Sequence, residues 1–231
     1  MKDKKPFLEH LEEARKRIFF SAIIALALSI AAYPFAGKIL VLLIEPLGRE
    51  LVFLSPADAF IAYMKIAFFA GLAASLPFIV YQLMAFSKPA FTSRGMRAAY
   101  IIIPAALLLF IAGAALAYFI ALPAALKFLL GFSNDYLKPM IALDSYISFS
   151  LGLIFAFGLL FELPLAIAVL ARIGIVSAAF LREKRKYAIV LIFILAAVLT
   201  PSVDAFTQLI LALPMVLLYE LGIIAAVIFG K

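Results

Sequence analysis

Residues 98–122 read AAYIIIPAALLLFIAGAALAYFIAL, a run without one charged side chain. A bilayer's hydrocarbon core is ~30 Å thick, and about 20 apolar residues of α-helix cross it. Five more stretches share this character to differing degrees. Residues 18–36 carry no charge, and 61–86 carry only Lys65, near the start. Residues 146–171 hold one acid, Glu162, and 206–229 hold Gln208 and Glu220. Residues 187–199 are apolar but only 13 long. Apolar types make up 68% of the 231 residues, against about 45–50% in a soluble domain. Mean hydropathy is +1.20. One buried core cannot absorb that excess, because a globule must still cover itself with polar surface. The sequence predicts an all-α, polytopic membrane protein with one domain over 1–231. A cytoplasmic amphipathic helix fills 1–17, and six spans follow at about 18–36, 61–86, 98–122, 146–171, 187–199 and 206–229.

Charge sets the orientation, since Lys and Arg accumulate in cytoplasmic loops. Six of them lie in 2–17, three in 87–97, five in 172–186, and Lys231 ends the chain. The other side receives only Lys38, Arg49, Lys65, Lys127 and Lys138. Both termini are therefore expected in the cytoplasm. The net charge of +7 is then mostly topology, and nucleic-acid binding is not implied. A basic start before an apolar run also resembles a signal peptide. Asp3, Glu9, Glu12 and Glu13, with five further spans, argue against that reading. The absence of cysteine and the single histidine, His10, exclude thiolate or multi-histidine metal sites, cysteine catalysis and a histidine relay. No cofactor and no metal are expected.

The first two outer loops are rich in apolar residues. Residues 37–59 read as short interfacial helices broken at Pro46 and at Ser55-Pro56, and 123–145 read similarly, with a turn at Ser133-Asn134-Asp135. Together they predict a structured outer cap. Leu-Pro recurs at 76–77, 163–164 and 213–214, in alternate spans, but also at 122–123. This is either a weak parallel repeat or a coincidence of two common residues. Each proline removes a backbone hydrogen bond and bends its helix. With Pro104 added, four of the six spans should be kinked. The fifth span reaches only ~20 Å at 1.5 Å per residue, so flanking residues must help it or the bilayer must thin around it.

Polar residues within this apolar chain are the candidates for function. Phe7, Leu8, Leu11, Ala14 and Ile18 recur at helical spacing, while Glu9, Glu13 and Arg17 fall on one face and Glu12 with Lys16 on another. That is a salt-bridged solvated face, or an acidic surface for a basic peptide, since guanidinium and carboxylate pair bidentately. Glu162 lies mid-span. A carboxylate there costs at least ~2.5 kcal/mol, so it must face protein or water, or take up a proton. It is a neutral carboxyl bonded between helices, a proton site, or a docking point for a partner helix. Gln208 and Glu220 add polar groups to the last span.

These residues resemble, in order and over nearly the whole chain, the C subunit of the twin-arginine protein translocase. The similar stretches begin with His10-Leu11-Glu12-Glu13-Ala14-Arg15-Lys16-Arg17, Glu45-Pro46-Leu47 and Ser55-Pro56-Ala57-Asp58-Ala59-Phe60. Tyr81-Gln82 through Phe86, Pro89-Ala90-Phe91 and Phe161-Glu162-Leu163-Pro164 follow. Leu199-Thr200-Pro201, Asp204, Phe206, Gln208, Pro214 and Leu218-Tyr219-Glu220 complete the set. The resemblance implies a receptor in the bacterial plasma (inner) membrane that binds twin-arginine signal peptides at its cytoplasmic face. It implies single-span A-type and B-type partner subunits, self-association, and export of folded proteins driven by the proton-motive force. It places Glu13, Arg15 and Phe86 at the signal-peptide site, to which the charge pattern of the N-terminal helix adds Glu9 and Glu12. It places Glu162, Gln208 and Glu220 at intramembrane partner contacts, and Pro46 and Asp204 at functional positions of the outer face. One departure is visible: where the family's first inner loop carries a second glutamate, this chain reads Thr92-Ser93-Arg94-Gly95-Met96-Arg97.

The sequence holds no G-x-x-x-x-G-K-[ST] loop, and Glu162 alone is no catalytic constellation, so an enzyme is not expected. The rival reading is a small-solute secondary transporter coupled to protons at Glu162. Such a transporter calls for an inverted repeat around a midplane site, and none is visible.

Overall fold

The computed structural model describes residues 7–86, 95–134, 136, 138–199 and 204–230, with side chains from Leu11 to Phe86 and again from Ile101. Helix α1 (Phe7–Ala32) passes through one 3₁₀ turn at Tyr33–Phe35 into α2 (Ala36–Ile44). The amphipathic start and the first apolar run are thus one rod. Helix α3 (Asp58–Phe86) returns. Helix α4 (Gly95–Leu116) continues through a π-helical turn, Ala117–Ala121, into α5 (Leu122–Leu130). Helices α6 (Leu143–Phe161) and α7 (Leu163–Arg172) form one broken rod. The short α8 (Ala178–Glu183) precedes α9 (Arg185–Leu199), and α10 (Ala205–Phe229) closes the chain. Five of these runs are long and apolar enough to cross a membrane: Leu11–Leu47, Asp58–Phe86, Ile101–Leu130, Leu143–Arg172 and Ala205–Phe229. Helix α9 has 15 residues and falls short of that length.

The prolines shape the rods in different ways. Pro77, Pro104 and Pro214 lie inside uninterrupted helices. Pro123 follows the π turn, where widening to i→i+5 bonding relieves the clash of its ring with the preceding turn. Pro164 is the second residue of α7, two positions after the break at Glu162. Pro46 ends α2 in a 3₁₀ turn, Glu45–Leu47. Lacking an N–H, it leaves the Leu42 carbonyl without its i+4 donor. The Tyr118 hydroxyl donates to that carbonyl at 2.9 Å, and the Tyr146 hydroxyl donates to the next one, Leu43, at 2.6 Å.

The two loops expected to form a cap meet at one end of the molecule. The Val52 N–H donates to Ile141 O (3.0 Å) and the Leu143 N–H to Val52 O (2.8 Å), which joins the two outer loops in one parallel bridge. Asp58 accepts from the N–H groups of Leu54 and Ser55, closing the Ser55-Pro56 turn onto the start of α3. Asn134 accepts from the Tyr136 N–H at 2.9 Å. Asp135, the third residue of the expected turn, lies outside the described residues.

Among the membrane helices, α1 packs most extensively on α3, α7 on α10, and α4 on α6, with α3 also against α6 and α9 against α10. Hydrophobic burial does not drive helices together in lipid, so small residues and polar bridges decide where they meet. A β-carbon on Gly71 of α3 would overlap the backbone N and Cα of Ser29 in α1. The Ser29 hydroxyl donates to Ala25 O at 2.7 Å. A β-carbon on Gly113 of α4 would overlap the carbonyl oxygen of Phe157 in α6. Between α3 and α6 the bridge is ionic: Lys65 Nζ meets Asp144 and donates to Ser148 Oγ at 2.8 Å.

Because the obstacle at Gly71 is backbone, no rotamer change relieves it. Gly71→Ala should destabilise the α1–α3 pair by ~1–3 kcal/mol, the usual range for overpacking. Thermal unfolding in detergent, followed by size-exclusion, should show a lower midpoint for Gly71→Ala and a nearly unchanged one for the lipid-facing Leu108→Ala.

Candidate functional site

The antiparallel pairing of α1 and α3 sets the start of one beside the end of the other. Arg17 donates twice to Glu13 Oε1, from Nη2 at 2.7 Å and from Nε at 3.2 Å, and its Nη1 donates to Gln82 Oε1 at 2.8 Å. Glu13 and Arg17 are 30% and 26% exposed, so the pair stands at a rim that a ligand can reach. Phe86 ends α3 on the same rim and Tyr81 is exposed one turn earlier. Glu12 and Arg15 are exposed around the start of α1. The expected pair of Glu12 with Lys16 is not formed; both side chains point to solvent, where an exposed pair is worth almost nothing. The side chain of Glu9 lies outside the described residues, and so does Pro89-Ala90-Phe91. Carboxylate, amide oxygen and aromatic ring together suit a guanidinium, which takes bidentate oxygens at its edge and a ring against its face.

Across the same end of the molecule, Arg185 at the start of α9 pairs with Glu220 of α10 at 2.7 Å. Next to it the Tyr219 hydroxyl donates to Leu181 O of α8 at 2.8 Å. Glu220 therefore anchors the 172–186 loop onto the last helix.

Glu162 occupies the break between α6 and α7. Pro164 deprives the Leu160 carbonyl of its usual donor, and the Glu162 N–H turns back to Leu159 O at 3.1 Å. The Glu162 Oε1 atom is buried without a hydrogen-bond partner among the described residues. An orphaned carboxyl oxygen at this depth is costly and is the kind of group that a polar partner would satisfy.

Towards the opposite end, Asp204 caps α10 by accepting from the Thr207 N–H at 2.7 Å. The Gln208 side-chain amide donates to Phe193 O at 2.9 Å and so ties α10 to α9. Thr200 and Pro201 lie outside the described residues. Pro46 sits under the two tyrosine bridges from Tyr118 and Tyr146. The expected site residues thus divide into a rim at one end (Glu12, Glu13, Arg15, Phe86), the mid-depth Glu162, and an edge at the opposite end (Pro46, Asp204, Gln208). Sequence reading missed Gln82 as a partner of Arg17, Asp144 as the partner of Lys65, and Arg185 as that of Glu220. Lys65 and Glu220 stood out as charges in apolar helices, but pairing across 35 to 79 positions was not legible without the fold.

Comparison with known proteins places the whole arrangement. Residues 9–214 match the family described as Sec-independent protein translocase protein (TatC). The Sec-independent protein translocase protein TatC of Carboxydothermus hydrogenoformans is 40% identical over 230 residues, covering 98% of this chain and 95% of that one. The protein of the same name from Aquifex aeolicus is 40% identical over 225 residues, covering 94% and 93%. A crystal structure of the twin arginine translocase receptor TatC is 38% identical and superposes with a TM-score of 0.85, covering 95% of this chain and 98% of that one.

Gln208→Leu keeps the volume and removes the donor to Phe193. Losing a hydrogen bond of ~1–2 kcal/mol between membrane helices should raise the opening of α9 by about 5–30-fold. Hydrogen–deuterium exchange in detergent should show faster exchange in α9, with α1 and α3 unchanged.

Proposed function

The chain belongs to the TatC family of Sec-independent protein translocase proteins, and from that premise we propose that it is the signal-peptide receptor of a twin-arginine translocase. As a TatC protein it is a non-enzymatic subunit of a protein translocase of the inner membrane. The finer reading is that paired arginines of a signal peptide dock on the rim at the start of α1 and the end of α3. The observation that carries it is the Glu13–Arg17–Gln82 constellation beside Phe86. Arg17 already holds Glu13 as an incoming arginine would. A partly exposed ion pair of this kind is worth ~0–1 kcal/mol, so an arriving guanidinium exchanges with Arg17 at small cost. Glu12 and Glu9 add negative charge along the same helix, and Arg15 flanks it.

Partner recruitment belongs, on this reading, to the polar atoms at membrane depth. Glu162 is the first candidate to meet a polar group on an A-type or B-type single-span subunit. The outer edge of α9 and α10, organised by Gln208 and Asp204, is the second, and Glu220 keeps the inner end of the same pair in place. Pro46 shapes the outer corner. Export of folded cargo under the proton-motive force, and self-association, follow from the family resemblance.

We further read α9 as a sixth span with both termini in the cytoplasm. Its 15 residues give ~22 Å of helix at 1.5 Å per residue. Arg185 and Lys186 stand at its inner end, and its antiparallel packing on α10 supports a crossing. An even number of spans returns the chain to its starting side, where the lysines and arginines accumulate.

Because the chain has no cysteine, single-cysteine variants report the topology directly. Asn134→Cys in intact cells should react with a membrane-impermeant maleimide, and Lys186→Cys should react only after permeabilisation; the reverse pattern would invert the molecule. For the receptor reading, a labelled signal peptide is titrated onto the purified chain. Arg-Arg peptide should bind better than Lys-Lys, and Glu13→Ala should weaken Arg-Arg binding about tenfold or more, the loss of one charge-assisted hydrogen bond. Glu162→Ala should leave that binding intact and impair assembly or transport. Equal binding of both peptides to wild type and Glu13→Ala would remove the site from this rim.

A further inference from the structure

Helices α3, α4 and α6 leave a trough of about 410 Å³ between them, open towards the lipid. Its walls are small: Ala70 and Ala73 on α3, Ala114 and Ala115 on α4. Facing alanines normally let membrane helices close up. Here they are propped apart by Phe155 of α6. Its ring lies edge-on to Phe69 of α3 (5.2 Å between centroids) and edge-on to Phe110 of α4 (5.7 Å), and it forms the floor. Helix α2 lies across the outer end, contributing Ile39 and Leu42. Among the described residues the one polar side-chain atom on the lining is the Tyr118 hydroxyl, at the mouth and within the π turn.

The depth of the trough decides what fits. From Ile66 at the outer end to Ala73 at the inner end is seven residues, or ~10 Å at 1.5 Å per residue. That is less than one leaflet of a ~30 Å core. A transmembrane helix is ~10–12 Å across and must continue through both leaflets, and α2 stands over this trough at its outer end. A single hydrocarbon chain entering from the outer leaflet fits the length, the width and the apolar lining. Water would find almost no partners there, and an empty trough would forfeit the dispersion contacts of its walls. The mouth carries charges of both signs. Glu45 Oε2 lies 3.4 Å from the Tyr118 hydroxyl, and the exposed Lys38 is seven residues away on the same side of α2. A carboxylate beside an ammonium complements a headgroup that itself bears an ammonium and a phosphate.

We infer that this trough is a lipid site: it holds one acyl chain of a zwitterionic phospholipid from the leaflet opposite the N terminus, with the headgroup over Lys38 and Glu45. The site is built by α2, α3, α4 and α6 and stands apart from the signal-peptide rim. Its bound lipid fastens the outer cap to the spans beneath it.

The test uses the full chain reconstituted in dioleoylphosphatidylglycerol vesicles with a trace of phosphatidylethanolamine carrying a diazirine midway along one acyl chain. After irradiation, peptide mapping should place several-fold more label on Ala73, Phe110 and Ala114 than on the lipid-facing Leu108 and Leu191. Filling the trough with Ala70→Leu and Ala114→Leu together should abolish that excess and leave the label at Leu108 and Leu191 unchanged. In the wild type, which needs no mutant to fold, unlabelled phosphatidylethanolamine should chase the trough label and extra phosphatidylglycerol should not. Uniform labelling, or an excess that survives filling, overturns the site. Equal chase by both lipids overturns the headgroup assignment. A photocrosslinker at Ile111 that captures another protein chain instead of lipid assigns the trough to a helix and overturns the inference.

Discussion

In hydrocarbon no water stands ready to accept a stray backbone hydrogen bond, so each carbonyl freed within a span must find a donor inside the protein. Much of this molecule's polar architecture answers that constraint. Pro46 frees Leu42 O, and Tyr118 supplies the donor. Tyr146 serves Leu43 O one residue on. Gln208 reaches Phe193 O and Tyr219 reaches Leu181 O. Each bridge connects two different elements, so the bond to a carbonyl also fixes which helix lies beside which. In lipid, where apolar burial between helices gives little direction, these few bonds and the close contact at Gly71 specify the packing.

The same constraint explains which parts of the fold were legible beforehand. The long apolar runs and the helical start of α1 follow from local pattern. Boundaries were harder. The third span was read as ending at 122, but the π turn at Ala117–Ala121 carries the helix on through Pro123 to Leu130. The first span was read as ending at 36, and one 3₁₀ turn at Tyr33–Phe35 carries the rod past that point to Ile44. A proline's local cost is visible in sequence, whereas its relief by a widened or tightened turn depends on neighbours that only the fold supplies. Three prolines inside α3, α4 and α10 leave those helices uninterrupted.

The candidate site was legible by residue type and illegible by partner. Glu13, Glu162, Gln208 and Glu220 stood out because polar groups are expensive against lipid. Their roles separated only when the partners appeared. Glu220 is matched by Arg185 and Gln208 by a carbonyl, so both have structural work within the chain. Glu13 is matched by a residue of its own helix at a partly exposed rim, which makes it exchangeable. Lys65 was noticed as the one charge in its span, yet its partner Asp144 lies 79 positions away and carried no signal of its own.

Glu162 stands apart from these because its position is mechanical as well as chemical. Helix α6 packs on α4 and α3, whereas α7 packs on α10. The break at Glu162 is where a single rod passes from one group of helices to the other. A continuous helix there would lock the two groups together through its own backbone bonds; Pro164 removes one such bond, and the Glu162 N–H takes a tighter turn to Leu159. A carboxyl oxygen left without a partner among the described residues at that junction means that whatever satisfies it, whether a proton, water or a partner's polar group, acts where the two packed groups meet. A small local bond at this point therefore has leverage on the relative placement of both, which a polar residue in the middle of an intact helix would lack.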